Sequence, residues 1–358
     1  MIVGIVGLPG CGKTTVFNAV TSEDAPTGTY SSAGTTNTAT VWVPDERLEA
    51  LRDHYKPKKY SPASFQFRDF CVVTGEGEQV NELNARMIAA VREVDALVKV
   101  IRAFDELDGT PPNALKDIET INAEFLFADL EIIERRLEKL EKSTQRPHQK
   151  LNEELREKAL LERCRDKLMS EEPLSELDMN ADEEKLIRGF QFITQKPSLV
   201  VLNLNDETEL EDAPKKFSDL FAKHPDALAL RGSIEMEIAQ LPPQDREEFM
   251  QEMGIKVSAT NRVVQACFKL LGMLSFFTIG EDEVKAWTLR KGSPVINAAA
   301  AIHTDLAKGF IRAEVVPFEK IAQAGHDFKE ARRQDLTTLE HKEYIVSDGD
   351  VIDIRFSK

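Results

Sequence analysis

A chain of 358 residues with a hydrophobic fraction of 42% is long enough for two or three domains with sizeable cores. Its formal charge of -16 excludes broad, nonspecific nucleic-acid binding by the whole surface but leaves room for a local basic patch. No apolar run approaches the ~18 residues of a membrane helix, so no contact with a membrane is expected. Cys11, Cys71, Cys164 and Cys267 are scattered with no C-x-x-C pair, which predicts reduced thiols in a cytoplasmic protein and no zinc site. The start of the chain lacks a signal-peptide pattern, because its apolar run is broken by glycine and leads straight into a glycine-rich loop.

The apolar run Ile2-Val3-Gly4-Ile5-Val6 reads as a buried strand. Gly7-Leu8-Pro9-Gly10-Cys11-Gly12-Lys13-Thr14 follows at once and fits G-x-x-x-x-G-K-T/S at every fixed position. Thr14 to Val20 then reads as a helix, so the order is strand, glycine loop, helix. That order suits a polyphosphate. Glycines let backbone N–H groups turn inward, and the positive end of the helix adds a favourable field. Lys13 is the expected partner of the β- and γ-phosphates, the Thr14 hydroxyl of Mg²⁺, and Thr15 of the α-phosphate.

Residues 22–37, rich in Thr, Ser, Gly and Ala, read as a loop where P-loop GTPases place their first switch. A strand is expected at Thr40 to Pro44 and an amphipathic helix at Asp45 to Tyr55, with Leu48 and Leu51 inward. Lys56-Pro57-Lys58-Lys59 reads as a solvated break. Ser64 to Phe70 alternates at period two, as a strand ending at Asp69. An acid at that place in a P-loop protein holds Mg²⁺, which makes Asp69 the candidate metal residue beside Thr14. Gly75 to Glu78 reads as a loop, Glu82 to Val94 as a helix, and Leu97 to Ile101 as a further strand.

From Leu115 to Phe192 the chain turns to Glu, Lys, Arg and Leu with few glycines. Leu130, Ile133, Leu137 and Leu140 form one stripe, and Leu151, Leu155, Leu161, Cys164 and Leu168 another, with a turn near Thr144 to His148. Two long antiparallel helices packed as a coiled-coil hairpin are predicted, with a third helix at Asp182 to Phe192 returning the chain to the sheet. Lys196 to Asn203 reads as a central strand, with Asn203-Leu204-Asn205-Asp206 at the carboxyl edge where α/β proteins bind ligands. Ala227 to Leu230 is a further strand, leading to Gly232-Ser233-Ile234, and a helix is expected at Arg262 to Leu274. Short strands at 284–289, 295–296, 311–316 and 351–356, around a helix at Ala298 to Leu306, suggest a small α+β module.

With these pieces placed, the chain resembles the YchF/Obg-like ATPase family along nearly its whole length. The resemblance is carried by Val43-Pro44-Asp45-Glu46-Arg47-Leu48, Lys56 to Lys59, Arg92-Glu93-Val94-Asp95-Ala96 and Ala128-Asp129-Leu130-Glu131. It is strongest at Ala286 to Gly292, Ile302 to Asp305, Lys308 to Val315 and Tyr344 to Asp350, which are similar to a TGS domain, a ubiquitin-like β-grasp module. The fold class implied is α/β: a P-loop NTPase G domain at 1–124 and 196–278, a helical coiled-coil insertion at 125–195, and a C-terminal α+β β-grasp (TGS) domain at 279–358. Family members bind ATP and often GTP with Mg²⁺, hydrolyse it slowly, and associate with ribosomes. The phosphate-binding residues implied are Gly7, Pro9, Gly10, Cys11, Gly12, Lys13, Thr14 and Thr15. Asn203, Asp206 and Ser233 are implied at the base, and Thr35 or Thr36 as a further Mg²⁺ ligand.

The family alters the guanine-reading N-K-x-D to N-x-x-E. Here the lysine is absent as in the family, but the acid is Asp206, which can accept from guanine N1–H and N2–H₂. ATP and GTP both remain open, with Leu204 on the ATP side. Two further departures bear on catalysis. Val72 stands where the family's γ-phosphate glycine falls, and family glycines also fall on Glu76, Val80, Glu82 and Asn84. Residues 105–113, where the family commonly carries a water-positioning histidine, contain none. A catalytic residue is therefore not assignable. Three functions follow: a regulatory switch that binds nucleotide with weak or lost hydrolysis, an active slow ATPase/GTPase, and an RNA- or ribosome-binding adaptor with structural nucleotide. For the ribosome or RNA, Lys285, Arg290, Lys291, Lys308, Arg312 and Lys320 against Asp305, Glu314 and Glu319 give residues 285–320 a local charge of about +3, on the TGS side of the TGS/coiled-coil surface. His303 has no nucleophile or carboxylate pair beside it in sequence and is assigned a structural or binding role.

Overall fold

The computed structural model describes residues 1–23, 25, 37–70, 78–105, 109–145, 149–252 and 258–357. By packing, the chain divides into two compact units: Met1–Ala39 with Gln66–Val263, and Thr40–Phe65 with Val264–Lys358.

The chain opens with β1 (Ile2–Val6), the glycine loop, α1 (Lys13–Thr21) and β2 (Asn37–Trp42). It passes through α2 (Glu46–Tyr55) and β3 (Lys59–Ser61) before β4 (Ser64–Asp69), α3 (Glu78–Arg92) and β5 (Ala96–Ala103). The helical insertion follows as α4 (Ala114–Ser143), α5 (Leu151–Met169) and α6 (Ala181–Ile187). Then come β6 (Ser198–Leu204), the short α7 (Ala213–Lys216) and α8 (Ser218–Lys223), β7 (Leu228–Leu230), α9 (Gly232–Gln240), α10 (Pro243–Glu252) and α11 (Ala259–Leu270).

The first sheet has the order β2-β4-β1-β5-β6-β7. Pairing is parallel from β4 through β7. Parallel strands are covered on both faces, which explains the unbroken apolar runs of β1, β5 and β6. Val91 and Val94 from the α3 end, Ile118 and Ile121 from α4, and Leu220 from α8 share one core with Leu97, Ile101 and Leu202 of the sheet. The one lysine of β5, Lys99, donates from Nζ to Asn122 Oδ1 of α4 at 2.7 Å. Burial pushes its ammonium down to about 8. His224, after α8, is likewise pushed down by burial, with the charges of Lys99 and Lys223 adding to it.

In the insertion, Ile133, Leu137 and Leu140 of α4 pack on Leu160, Leu161, Cys164 and Leu168 of α5. Leu155, expected in that seam, is 46% exposed, and Leu160 takes the inward place instead. Arg136 and Glu157 clasp the two helices through two hydrogen bonds of 2.7 Å each. The return helix is α6, capped at its start by Asn180 and Glu183 in a reciprocal capping box.

The second unit carries β8 (Met273–Thr278), β9 (Glu283–Arg290), α12 (Val295–Ile302), α13 (Thr304–Lys308), β10 (Phe310–Pro317), α14 (Phe318–Gln323), α15 (Phe328–Arg333), β11 (Thr338–Glu340) and β12 (Asp350–Phe356). Its sheet order is β11-β10-β12-β8-β9-β3, with β12 and β8 parallel at the centre and β8–β9 an antiparallel pair. Val295 and Ala298 of α12 share a core with Leu274, Phe276 and Leu289 of that pair and with Ala313, Val315 and Ile352. A mixed sheet in this order with a helix across it has the connectivity of a β-grasp. Glu314 is buried in this unit. Burial alone would raise its carboxyl, but Arg332, Arg355 and Thr337 hold it below the usual carboxylate range.

Four expectations are corrected here. The helix expected to run to Leu274 stops at Leu270, because Gly272 takes a left-handed φ of 65° and Met273 starts β8. The boundary drawn at 278/279 therefore cuts between two hydrogen-bonded strands, β8 and β9. Val295-Ile296 is the first turn of α12 rather than a strand. That helix ends at His303, whose Nδ1 accepts from Asp305 N at 3.2 Å and starts α13 afresh. Lys58 and Lys59 are not merely solvated: they pair with Asp282 and Glu283 where β3 lies parallel to β9.

Lys99 makes a pH test. The unfolded lysine binds its proton below the ordinary value of 10.5, the folded one only below about 8. Between these values the unfolded state holds more protons, so stability rises with pH across that window. Lys99→Met removes this slope. The urea midpoint of the variant minus that of the parent should shrink steadily as pH is raised from about 8 to 10.5, and a difference that stays constant refutes the assignment.

Candidate nucleotide site

β1 delivers the chain to the carboxyl edge of the first sheet, where the glycine loop turns back into α1. Gly10 and Gly12 sit at φ 75° and 85°, a region open to glycine and costly for side chains. Two further constraints come from close approach. A Cβ on Gly7 would lie 2.4 Å from Val100 O, and one on Gly12 would lie 2.1 Å from Asn203 Nδ2. The loop is therefore pressed against β5 on one side and β6 on the other.

Lys13 is buried, and its Nζ folds back to donate to Leu8 O at 2.8 Å. Thr14 Oγ1 donates to Asp69 Oδ2 at 2.9 Å. Asp69 stands at the end of β4, buried, and its second oxygen Oδ1 has no hydrogen-bond partner among the described residues. Burial pushes this carboxyl above its ordinary value, opposed by the Thr14 hydroxyl, the Lys13 charge and the Asn37 side chain. A hydroxyl and an orphaned carboxylate oxygen at the start of a nine-residue helix are a donor set that suits a small, hard cation keeping most of its water. Thr15 follows in the first turn of α1, half-buried. Pro9 and Gly10 form the exposed crest of the loop, while Cys11 is buried and its thiol is pushed up by burial.

Asn203 does something the sequence did not disclose. It is buried at the end of β6, donates from Nδ2 to Cys11 O at 3.1 Å, and accepts from Gly232 N at 3.0 Å. One amide thus ties the glycine loop to the start of α9, and α9 in turn packs on α1. Asp206 and Ser233 are exposed at the same edge. Leu204 turns into the core with Leu202, so its side chain cannot select the base. Thr35, Thr36 and Val72 lie outside the described residues.

Two polar groups of this edge carry no motif and were missed. Arg102, beside Asn203 in register, donates to Phe104 O at 2.9 Å and Thr110 O at 3.1 Å, drawing together the two ends of the loop after β5. Glu235 on α9 is buried and accepts from Ser258 Oγ, Ala259 N and Thr260 Oγ1 at 2.6, 2.9 and 2.7 Å, capping α11. A buried acid in an apolar helix face was the one available signal.

Residues 2–134 match the family model described as a 50S ribosome-binding GTPase, and residues 273–357 match the YchF GTPase C-terminal model, described as a protein of unknown function. The chain is 34% identical to the ribosome-binding ATPase YchF of Bacillus subtilis over 99% of its length and 98% of that protein's. The same-named protein of Escherichia coli O157:H7 is 35% identical, with the same coverage. The chain belongs to the YchF family. The solved structure of the Schizosaccharomyces pombe YchF GTPase superposes with a TM-score of 0.83 at 27% identity, covering 99% of this chain and 97% of that one.

Two pairs of the YchF-like stretches noted in the sequence meet in space. Arg92 Nη1 reaches Asp129 Oδ1 at 2.6 Å within the first unit. In the second unit Arg47 is held by Asp45 and by Asp348 Oδ2 at 2.8 Å, and its guanidinium lies 5.4 Å from the Phe277 ring centre. These contacts raise the Arg47 pKa further above its ordinary value, with the Asp45 hydrogen bonds the largest cause. A Cβ on Gly349 would lie 2.7 Å from Arg47 Nη1, so that glycine also leaves room for a partner.

The contact between Gly12 and Asn203 predicts strong coupling. Gly12→Ala should cost about 1–3 kcal/mol of stability from its left-handed backbone and the steric overlap. Asn203→Ser, which shortens the overlapping side chain, should make the double variant less damaged than the two single losses added together. Chemical denaturation of the three variants checks this, and strict additivity counts against the contact.

Proposed function

We propose that this protein binds a purine nucleoside triphosphate with Mg²⁺, associates with ribosomes in the cytoplasm, and hydrolyses its nucleotide slowly or not at all. The observation that carries the first part is the Thr14–Asp69 pair under the left-handed Gly10–Gly12 turn, with Asp69 Oδ1 unused. In this reading Thr14 and Asp69 hold the ion, Asp69 through water. Lys13 exchanges its present acceptor, Leu8 O, for the β- and γ-phosphates. The backbone N–H groups around Gly10 to Thr15 supply the remaining donors. When bound, the ion neutralises charge on the phosphate oxygens; the chain's own part is to hold and orient them.

Asp206 is exposed at the edge where a base would sit, Ser233 is exposed at the start of α9, and in this reading Ser233 with Gly232 and Ile234 backs the base. Asn203 has committed both its polar atoms to the loop and to α9, so it shapes the site rather than reading the base. Base choice then rests on Asp206, whose carboxylate suits guanine, while the missing lysine leaves adenine admissible. Slow hydrolysis rests on two features of the sequence, Val72 at the γ-phosphate position and the absence of histidine from residues 105–113.

Ribosome association follows the names of the relatives in Bacillus subtilis and Escherichia coli. The second unit offers a surface for RNA. Glu314, counted among the acids of residues 285–320, is buried and paired with Arg332 and Arg355 from outside that stretch, so it does not offset the six cations there. Lys285 Nζ sits 3.5 Å from the Trp287 ring centre, pairing a cation with an aromatic face.

Titration with labelled ATP and GTP in Mg²⁺ should show binding that Lys13→Ala weakens by about tenfold or more, roughly 1.4 kcal/mol. Single-turnover phosphate release, with and without ribosomes and K⁺, should stay well below that of an active YchF ATPase. Release at an equal rate would restore the slow-ATPase reading, and no binding of either nucleotide would favour the adaptor.

A further inference from the structure

Where α8 lies against α4 beside β5, the first unit holds a charge imbalance. Lys99 of β5 donates from Nζ to Asn122 Oδ1 of α4 at 2.7 Å, its only hydrogen-bond partner among the described residues. Burial is the sole cause of its depressed value, so no carboxylate stands close enough to hold its proton. The charged groups beside it are cationic. His224, at the carboxyl end of α8, feels the charges of Lys99 and of Lys223. Glu119 of α4 lies 3.9 Å from Lys223 Nζ and is exposed, so its charge is spent on that lysine and on solvent.

A desolvated ammonium with one neutral acceptor and cationic neighbours is the arrangement that turns lysine into a nucleophilic amine. At a pH of ~7.4 and a pKa of about 8, roughly one Lys99 in five carries a free lone pair, against about one in a thousand for an ordinary lysine at 10.5. The residue as a whole is half-buried, so the amine is not sealed off. The surroundings also select what it would take. Acylation would only neutralise the amine, and it needs room for a leaving group. CO₂ has three heavy atoms and no leaving group, and it converts the amine into an anion. That anion would lie among His224, Lys223 and the Asn122 amide, which can turn over to offer N–H in place of its oxygen.

We propose that Lys99 is a carbamylation site, whose Nζ takes up dissolved CO₂ and becomes an anion held by His224, Lys223 and Asn122. The Nζ lone pair forms the N–C bond, one C=O π pair moves onto oxygen, and one N–H proton leaves. Nothing is oxidised or reduced. Neutral His224 receives the proton, because loss of the Lys99 charge removes one of the causes that hold its imidazole low. The site is independent of nucleotide binding and makes the protein responsive to CO₂. Lys196 is the internal comparison. Its amine is also pushed down by burial and donates to Val94 O at 2.6 Å, but Asp95 and Asp129 act on it. A carbamate there would meet two carboxylates, so Lys196 stays unmodified.

The test equilibrates the full chain with isotopically labelled bicarbonate near pH ~8, the value at which Lys99 loses its proton. A trialkyloxonium salt then esterifies any carbamate and makes it permanent. Peptide mass spectrometry should find the labelled ester on Lys99, at least tenfold above Lys196 and above the exposed lysines. In the intact protein the His224 ring resonance, identified by its loss in His224→Gln, should titrate at higher pH in bicarbonate than in chloride of equal ionic strength. Lys99→Arg keeps a cation that cannot form the carbamate and should abolish both signals. His224→Gln should lower the label on Lys99 several-fold and leave the exposed lysines unchanged. Absence of label on Lys99 in the folded parent overturns the proposal, as does label no greater than that of the exposed lysines. Equal label on Lys99 with and without His224 makes it a merely reactive amine and overturns the held anion. A His224 shift that persists in Lys99→Arg means that bicarbonate binds without reacting, which overturns it too.

Discussion

A parallel sheet makes one demand that governs the first unit. The chain leaves β5 at Ala103 and must re-enter at Ser198 so that Leu97 lies opposite Ser198 and Ala103 opposite Leu204. Between those points it makes a long helical excursion. The Asp129 carboxylate closes that excursion, because it binds the outgoing helix to the returning backbone at Ile193 and Thr194. A carboxylate with no access to water is tolerable only when donors surround it, and here three protein N–H or O–H groups and one guanidinium do so. With the root fixed, β6 falls into register beside β5 and carries Asn203 to the glycine loop.

The candidate nucleotide site is built from backbone more than from side chains. Its glycines serve two different ends. Gly10 and Gly12 supply turns that other residues resist, whereas Gly7 and Gly12 let the loop lie against Val100 O and the Asn203 amide. The side chains then have few tasks. Lys13 waits on a loop carbonyl, Thr14 and Asp69 form a short polar pair, and Asn203 fastens the loop to α9. That division explains why an excursion as large as α4–α5 and a strongly acidic surface leave the site's geometry intact.

Much of this was legible in the sequence, for physical reasons. The glycine loop, the strand ending at Asp69 and the apolar stripes of the hairpin are local patterns, and each was readable from spacing alone. Two of the misreadings in the second unit were failures of local contrast. Met273 to Thr278 continues the apolar character of α11, and only Gly272 marks the change; Val295-Ile296 is β-branched yet follows Pro294, which starts a helix. Long-range pairs were not legible. The sequence displayed Arg92 and Asp129, and Arg47 and Asp348, as separate stretches, but nothing in either says that a guanidinium will meet a carboxylate 37 or 301 residues away. Asn203 was expected at the base, while its bond to Cys11 O depends on the approach of two strands and has no sequence signature.

The clasp of Arg47 by Asp348 also bears on how the chain is made. Residues 40–65 belong to the second unit, yet they emerge from a ribosome long before their partners at 273–356. Leu48 and Leu51, fully buried in the finished protein, have no finished core to enter during that interval. An early hydrophobic segment must therefore remain unclaimed while the whole P-loop unit, insertion included, is synthesised around it. Translation order and spatial order are interlaced, so no single cut in the polypeptide separates the two units, and the earliest helix of the second unit packs on β9, a strand made some 230 residues later.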